Sequence, residues 1–191
     1  MGKNRLEAFS DGVIAVIITI MVLALKTPHS ADFEALRELF PTFLSYVLSY
    51  IYIGIYWNNH HHLFQAAQRI SGMTLWANLH LLFWLSLIPF ITGWMSSTDF
   101  STAPVIAYGV ILFMSAVAWD ILRQCLVKQH DHKSIIVRAL SRHVKEWVSA
   151  ALYAAGIGAA FFNTTIACIL YAVVACMWFV PDRRIERQIH N

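Results

Sequence analysis

Apolar stretches long enough to cross the ~30 Å hydrocarbon core of a bilayer recur along this whole chain. Six can be read, at 9–25, 42–62, 73–95, 103–122, 146–162 and 164–180. The last two are separated only by Phe162-Asn163-Thr164-Thr165, the one place between them where the chain can turn. Composition agrees: of 191 residues 58% are hydrophobic and 13% charged, against about 25% charged in ordinary soluble domains. A soluble domain of this length has no core large enough to hide that much apolar surface. The reading is an all-α membrane protein of about six transmembrane helices, forming a single domain over 1–191.

The first span has the length of an apolar signal core behind a basic start at Lys3 and Arg5. Glu7 and Asp11 interrupt that start, and Leu25-Lys26-Thr27-Pro28 follows where small cleavage residues belong, so the span is kept as a mature helix. Basic residues then set the orientation. Arg123, Lys128, Lys133, Arg138, Arg142 and Lys145 lie between the fourth and fifth spans, and Arg183, Arg184 and Arg187 follow the sixth. Lys3 and Arg5 precede the first span, and Arg69 lies between the second and third. The alternate loops hold only Lys26 and Arg37. By the positive-inside rule both termini are cytoplasmic, which an even number of spans requires. The net charge of +3 is therefore topological, and no nucleic-acid-binding module accompanies it. Between the first two spans, 29–40 is amphipathic, with Phe33, Leu36 and Phe40 on one helical face; it predicts a short interfacial helix ended by Pro41.

Cys125, Cys168 and Cys176 have neither metal-ligand nor disulfide spacing and read as small buried hydrophobes. His60, His61 and His62 point about 100° apart on a helix, so they do not converge on one ion by themselves. His130 and His132 lack a useful helical separation, and His-Glu-x-x-His, nucleophile elbows, phosphate loops and dinucleotide fingerprints are missing. No cofactor and no enzymatic activity are expected.

The ionisable groups inside the spans are costly in lipid and are functional candidates by default. Arg5, Ser10 and Asp11 enter the first helix; Trp57, Asn58, Asn59 and His60 to His62 close the second; Asn78 and His80 open the third. Trp119, Asp120 and Arg123 close the fourth, and His143, Glu146 and Trp147 open the fifth, all at one depth. Buried polar groups need partners, so these side chains are expected to form a hydrogen-bonded belt that fixes the first helix. The plainer alternative is interfacial solvation with tryptophan anchors. Asp11 lies about 9 Å further in than Arg5 and is expected to anchor best.

Arg5-x-x-x-Phe9-Ser10-Asp11 leading into the first helix resembles one family, the endosomal and lysosomal potassium channel transmembrane protein 175, in its single-repeat prokaryotic form. Trp57-x-x-His60-His61 with Leu63-Phe64 is similar to the end of that family's second helix, and Leu75-Trp76-x-Asn78-Leu79 with Leu82-Phe83 and Pro89-Phe90 to its third. The resemblance covers roughly the first half of the chain. It implies a homotetrameric, potassium-permeable cation channel of the prokaryotic plasma membrane, with the first helix of each subunit lining the pore. It also implies selectivity without a carbonyl filter loop, and Ala107-Tyr108-Gly109-Val110 indeed lacks the Thr-Val-Gly-Tyr-Gly order. Carried over by position, Val16, Ile20 and Leu23 are stacked apolar constrictions and Thr19 is a pore-side hydroxyl. Val16 is smaller than the family's usual Ile or Leu.

Spacing alone places Val16, Ile20 and Leu23 on one face, equally suited to a helix-packing seam. Asp11 stands about 140° around the helix from Val16 and is expected to point back into the subunit. In the fifth span Ala151, Ala155 and Ala159, beside Ala150, Ala154 and Gly158, offer a close-packing surface within or between subunits. A second functional class stays open: a proton-coupled transporter or proton-permeable channel using Asp11 and the membrane histidines. The paired helix breaks of many transporters are not evident.

Overall fold

A computed structural model describes residues 2–25, 27–28, 30–67, 69–129 and 144–179. The loop charges Lys133, Arg138 and Arg142, the tail residues Arg183, Arg184 and Arg187, and Lys26, His130, His132 and His143 lie outside the described residues. Among those described there is no strand; eight helices follow one another. They are α1 (Lys3–Leu23), α2 (Phe33–Glu38), α3 (Phe40–Ala66), α4 (Gly72–Ser86), α5 (Ile88–Ser97), α6 (Thr102–Val127), α7 (Val144–Ala160) and α8 (Thr164–Phe179). Three stretches are long and apolar enough to cross a membrane: α1, the α4–α5 pair and α6. α8 is a shorter apolar helix.

The 73–95 stretch, read as one span, is divided at Leu87. Pro89 in the first turn of α5 has no N–H to give the carbonyl four residues back. The ladder therefore ends at Leu87, whose N–H bonds Trp84 O at 3.2 Å, and restarts with Ile91 N bonding Leu87 O at 3.1 Å. α1 is held by α3, α4 and α5, while α6 packs against α4 and α7, and α7 pairs with α8. α4 is capped by Ser71, whose hydroxyl accepts from Thr74 N at 3.3 Å. The end of α6 is tied to that cap, because Gln129 Nε2 donates to Ser71 Oγ at 2.8 Å and Thr74 Oγ1 at 2.6 Å. The turn before α8 is closed by Asn163, whose side chain accepts from Thr165 N and Ile166 N at 2.9 and 3.2 Å.

Tyr171 of α8 fixes the hairpin in place. It lies against Gly109 of α6 and Gly156 of α7, where an added Cβ would stand 2.1 Å from its hydroxyl and 2.4 Å from its ring. Its carbonyl accepts from the Tyr52 hydroxyl of α3 at 2.5 Å. Inside the subunit α7 thus uses Ser149, Tyr153, Gly156 and Ala160, whereas Ala151, Ala154, Ala155 and Gly158 face outward.

Arg123, counted above among the loop charges, lies inside α6 and is only 2% exposed. Its guanidinium meets Asp120 Oδ1 at 2.5 Å.

Candidate functional site

α1 and α3 run antiparallel, and three polar rungs join them. Lys3 Nζ donates to Gln65 O at 3.1 Å, Glu7 Oε1 meets His61 Nδ1 at 3.2 Å, and Trp57 Nε1 donates to Asp11 Oδ1 at 3.0 Å. Each step is four residues up one helix and four down the other, so every rung falls on the same pair of faces. The rungs sit at the rim. Within the single subunit Trp57 is about half exposed and Asp11 only partly covered.

The centre of the contact is the residue beside it. Ser10, Asn78 and His60 are all fully or almost fully buried. Ser10 Oγ donates to Leu6 O at 2.9 Å, leaving its oxygen to accept from Asn78 Nδ2 at 2.9 Å. Asn78 Oδ1 therefore faces His60 Nε2, 2.8 Å away, and the imidazole must donate there. The His60 ring stacks on Phe64 at 4.4 Å, and its Nδ1 is buried without a hydrogen-bond partner. One asparagine thus ties the first, third and fourth helices together, with each polar atom's role set by its neighbour's.

Other members of the predicted belt stand apart. Asp120, Arg123 and Gln124 form their own cluster on α6. His80 accepts from Trp84 Nε1 at 2.9 Å within α4. Arg5 is exposed, and among the described residues its side chain makes no hydrogen bond or ion pair; Phe9 is also exposed. The histidine run splits by direction: His60 goes to Asn78, His61 to Glu7, and His62 stands edge-on to His61 at 5.8 Å. Among the described residues no three His, Cys, Asp or Glu side chains are grouped to hold a metal. The Glu7–His61 rung had a legible signal, since Glu7 with Asp11 and Trp57 with His61 are both i, i+4 pairs.

The opposite face of α1 is bare. Leu6, Ser10, Ile14, Ile17 and Met21 face the subunit, whereas Val16, Ile20 and Leu23 are 56%, 49% and 76% exposed. Thr19 lies among these and donates to Ala15 O at 2.9 Å, so its oxygen lone pairs are what it turns outward. Ile18, by contrast, is partly buried against the core.

Fold and site together define a polytopic helical membrane protein whose first helix is fastened along one side by polar contacts and bare on the other. The family described as endosomal/lysosomal potassium channel TMEM175 matches residues 5–89, a region that contains the Ser10–Asn78–His60 set and the bare face of α1. A potassium channel of Chryseobacterium sp. (strain P1-3) is 49% identical over 189 residues, covering 99% of this chain and 98% of that protein. The human endosomal/lysosomal proton channel TMEM175 is 33% identical over 88 residues, 38% of this chain and 18% of that protein. The crystal structure of a lysosomal potassium-selective channel TMEM175 homolog from Chamaesiphon minutus superimposes with a TM-score of 0.81 at 23% identity, covering 93% of this chain and 96% of that one. This chain belongs to the TMEM175 family.

Proposed function

We propose that this protein is a potassium-permeable cation channel of the prokaryotic plasma membrane, a homotetramer in which α1 of each subunit lines the pore. The whole chain forms one channel domain of six spans: α1, α3, α4–α5, α6, α7 and α8. Both termini are then cytoplasmic, as the placement of Lys and Arg favours.

The observation that carries this reading is the uncovered apolar face of α1. One helix encloses nothing, but four copies around an axis would cover that face and stack Val16, Ile20 and Leu23 as successive apolar rings. Such constrictions admit ions only when wetted, so they set both gating and conductance. The Thr19 oxygens would meet an ion that sheds part of its hydration. The Ser10–Asn78–His60 set and the Asp11–Trp57 and Glu7–His61 rungs would hold each lining helix at a fixed rotation. Arg5 and Phe9, exposed on the single subunit, are assigned to contacts made on assembly. Potassium as the permeant ion is supported by the 49%-identical relative, a potassium channel.

Vertebrate relatives named proton channels favour proton permeation as the second reading. The test is purified protein in liposomes under a potassium gradient, with and without a proton ionophore. A potassium channel gives potassium flux that the ionophore reveals or speeds by dissipating the opposing charge. Acidification that needs a pH gradient and ignores potassium supports the proton reading instead.

A further inference from the structure

On the flank away from α1, a partly open crevice of about 490 Å³ lies between α3, α6 and α7, with Trp178 of α8 at one end. Its size is that of a site for a drug-sized ligand. The walls are mostly aromatic and aliphatic, Tyr56, Phe113, Trp147, Tyr153 and Trp178 among them.

Several polar groups on this wall are satisfied within the subunit, and among its described, fully buried side-chain atoms one lacks a hydrogen-bond partner. Asp120 is taken twice, by Arg123 at 2.5 Å and by Gln124 Nε2 at 2.6 Å. Asn59 donates to Ile55 O at 2.9 Å, and Trp178 Nε1 to Ser149 Oγ at 2.8 Å. Glu146 Oε2 is buried and has no hydrogen-bond partner. Among the described residues no lysine or arginine lines the crevice. Of the basic residues nearby, Arg123 is engaged by Asp120, and Lys145 stands over the Trp178 ring at 5.8 Å. The Trp178 ring therefore already takes a cation on its π face.

A buried carboxylate oxygen without a partner is costly, and the described residues of the wall supply no cation to it. An acyl chain alone would fill the space and leave Glu146 as it is. An anion would be repelled. A bare metal ion would find one free carboxylate amid aromatic rings, a poor set for a hard cation. We infer that the crevice binds an organic ammonium ion with an apolar body, its head on Glu146 and its body against the tryptophan and tyrosine rings. Ammonium groups are attracted both by the carboxylate and by the faces of tryptophan and tyrosine.

This inference concerns binding and holds or fails independently of conduction. The probe is bromo-octyltrimethylammonium, whose bromine quenches nearby indoles, titrated onto the whole protein in nanodiscs. Bromo-octanol and bromo-octyl sulfate serve as neutral and anionic counterparts of equal chain length. Saturable quenching is expected from the ammonium alone. Glu146→Gln should weaken it by about tenfold or more, as expected for removing the partner of a desolvated charge. Ala116→Phe, which fills the crevice without touching the charge, should abolish it. Equal quenching by the three head groups would show an acyl-chain groove and overturn the inference, as would unchanged affinity in Glu146→Gln or no saturable quenching in the wild type. If Glu146→Gln fails to fold, the head-group comparison and Ala116→Phe still decide.

Discussion

Asn78 is the residue on which the placement of α1 turns. Its amide oxygen and nitrogen are both committed inside the subunit, one to His60 and one to Ser10. Asn78→Leu removes both partners at once, and each buried group left unpaired costs about 1–3 kcal/mol. Asp11→Asn keeps Oδ1 as an acceptor for Trp57 at the exposed rim and should cost under about 1 kcal/mol. Thermal unfolding in detergent, followed by tryptophan fluorescence, should show a clear loss for the first variant and little for the second. Equal midpoints would mean that the buried triad does not fix the helix. Sequence reading placed Ser10, Asn78 and His60 in one polar belt and gave the leading part within it to Asp11. Which of its members pair was not legible, because Ser10 and Asn78 are 68 residues apart and only the packing of α1 on α4 brings them together.

Hydropathy located the apolar stretches well, but it marks where lipid is, not where a helix begins. α1 starts at Lys3, six residues before the apolar run, because its polar first turns continue the helix while bonding α3. The division at Leu87 is likewise invisible to hydropathy, since both sides are apolar; only Pro89 signals it. Glycines in α7 looked alike in sequence and are not. Gly156→Ala would drive a methyl into the Tyr171 ring, overpacking that costs about 1–3 kcal/mol. Gly158 has nothing within 4 Å of an added Cβ, so Gly158→Ala should be neutral or gain up to about 1 kcal/mol in helix propensity. Opposite shifts in thermal midpoint are expected; a shared shift would place Tyr171 elsewhere.

For the whole molecule, the proposed orientation is accessible to labelling. Single cysteines at Ser30 and Ser134, in a background lacking Cys125, Cys168 and Cys176, would be treated with an impermeant reagent on intact cells. Ser30 should react and Ser134 should not; the reverse would invert the topology and with it the side from which Asp11 is reached.

The central claim is that the bare face of α1 meets the permeant ion. Ile20→Asn places a polar side chain in an apolar ring and should ease wetting, raising conductance and bringing sodium permeability closer to that of potassium. Ile18, about 160° away around the helix and partly buried, is the control. Reversal potential and conductance in planar bilayers under potassium-to-sodium gradients decide between them. The account predicts a changed reversal potential for Ile20→Asn and an unchanged one for Ile18→Asn in equally folded tetramers; the opposite pattern would contradict it.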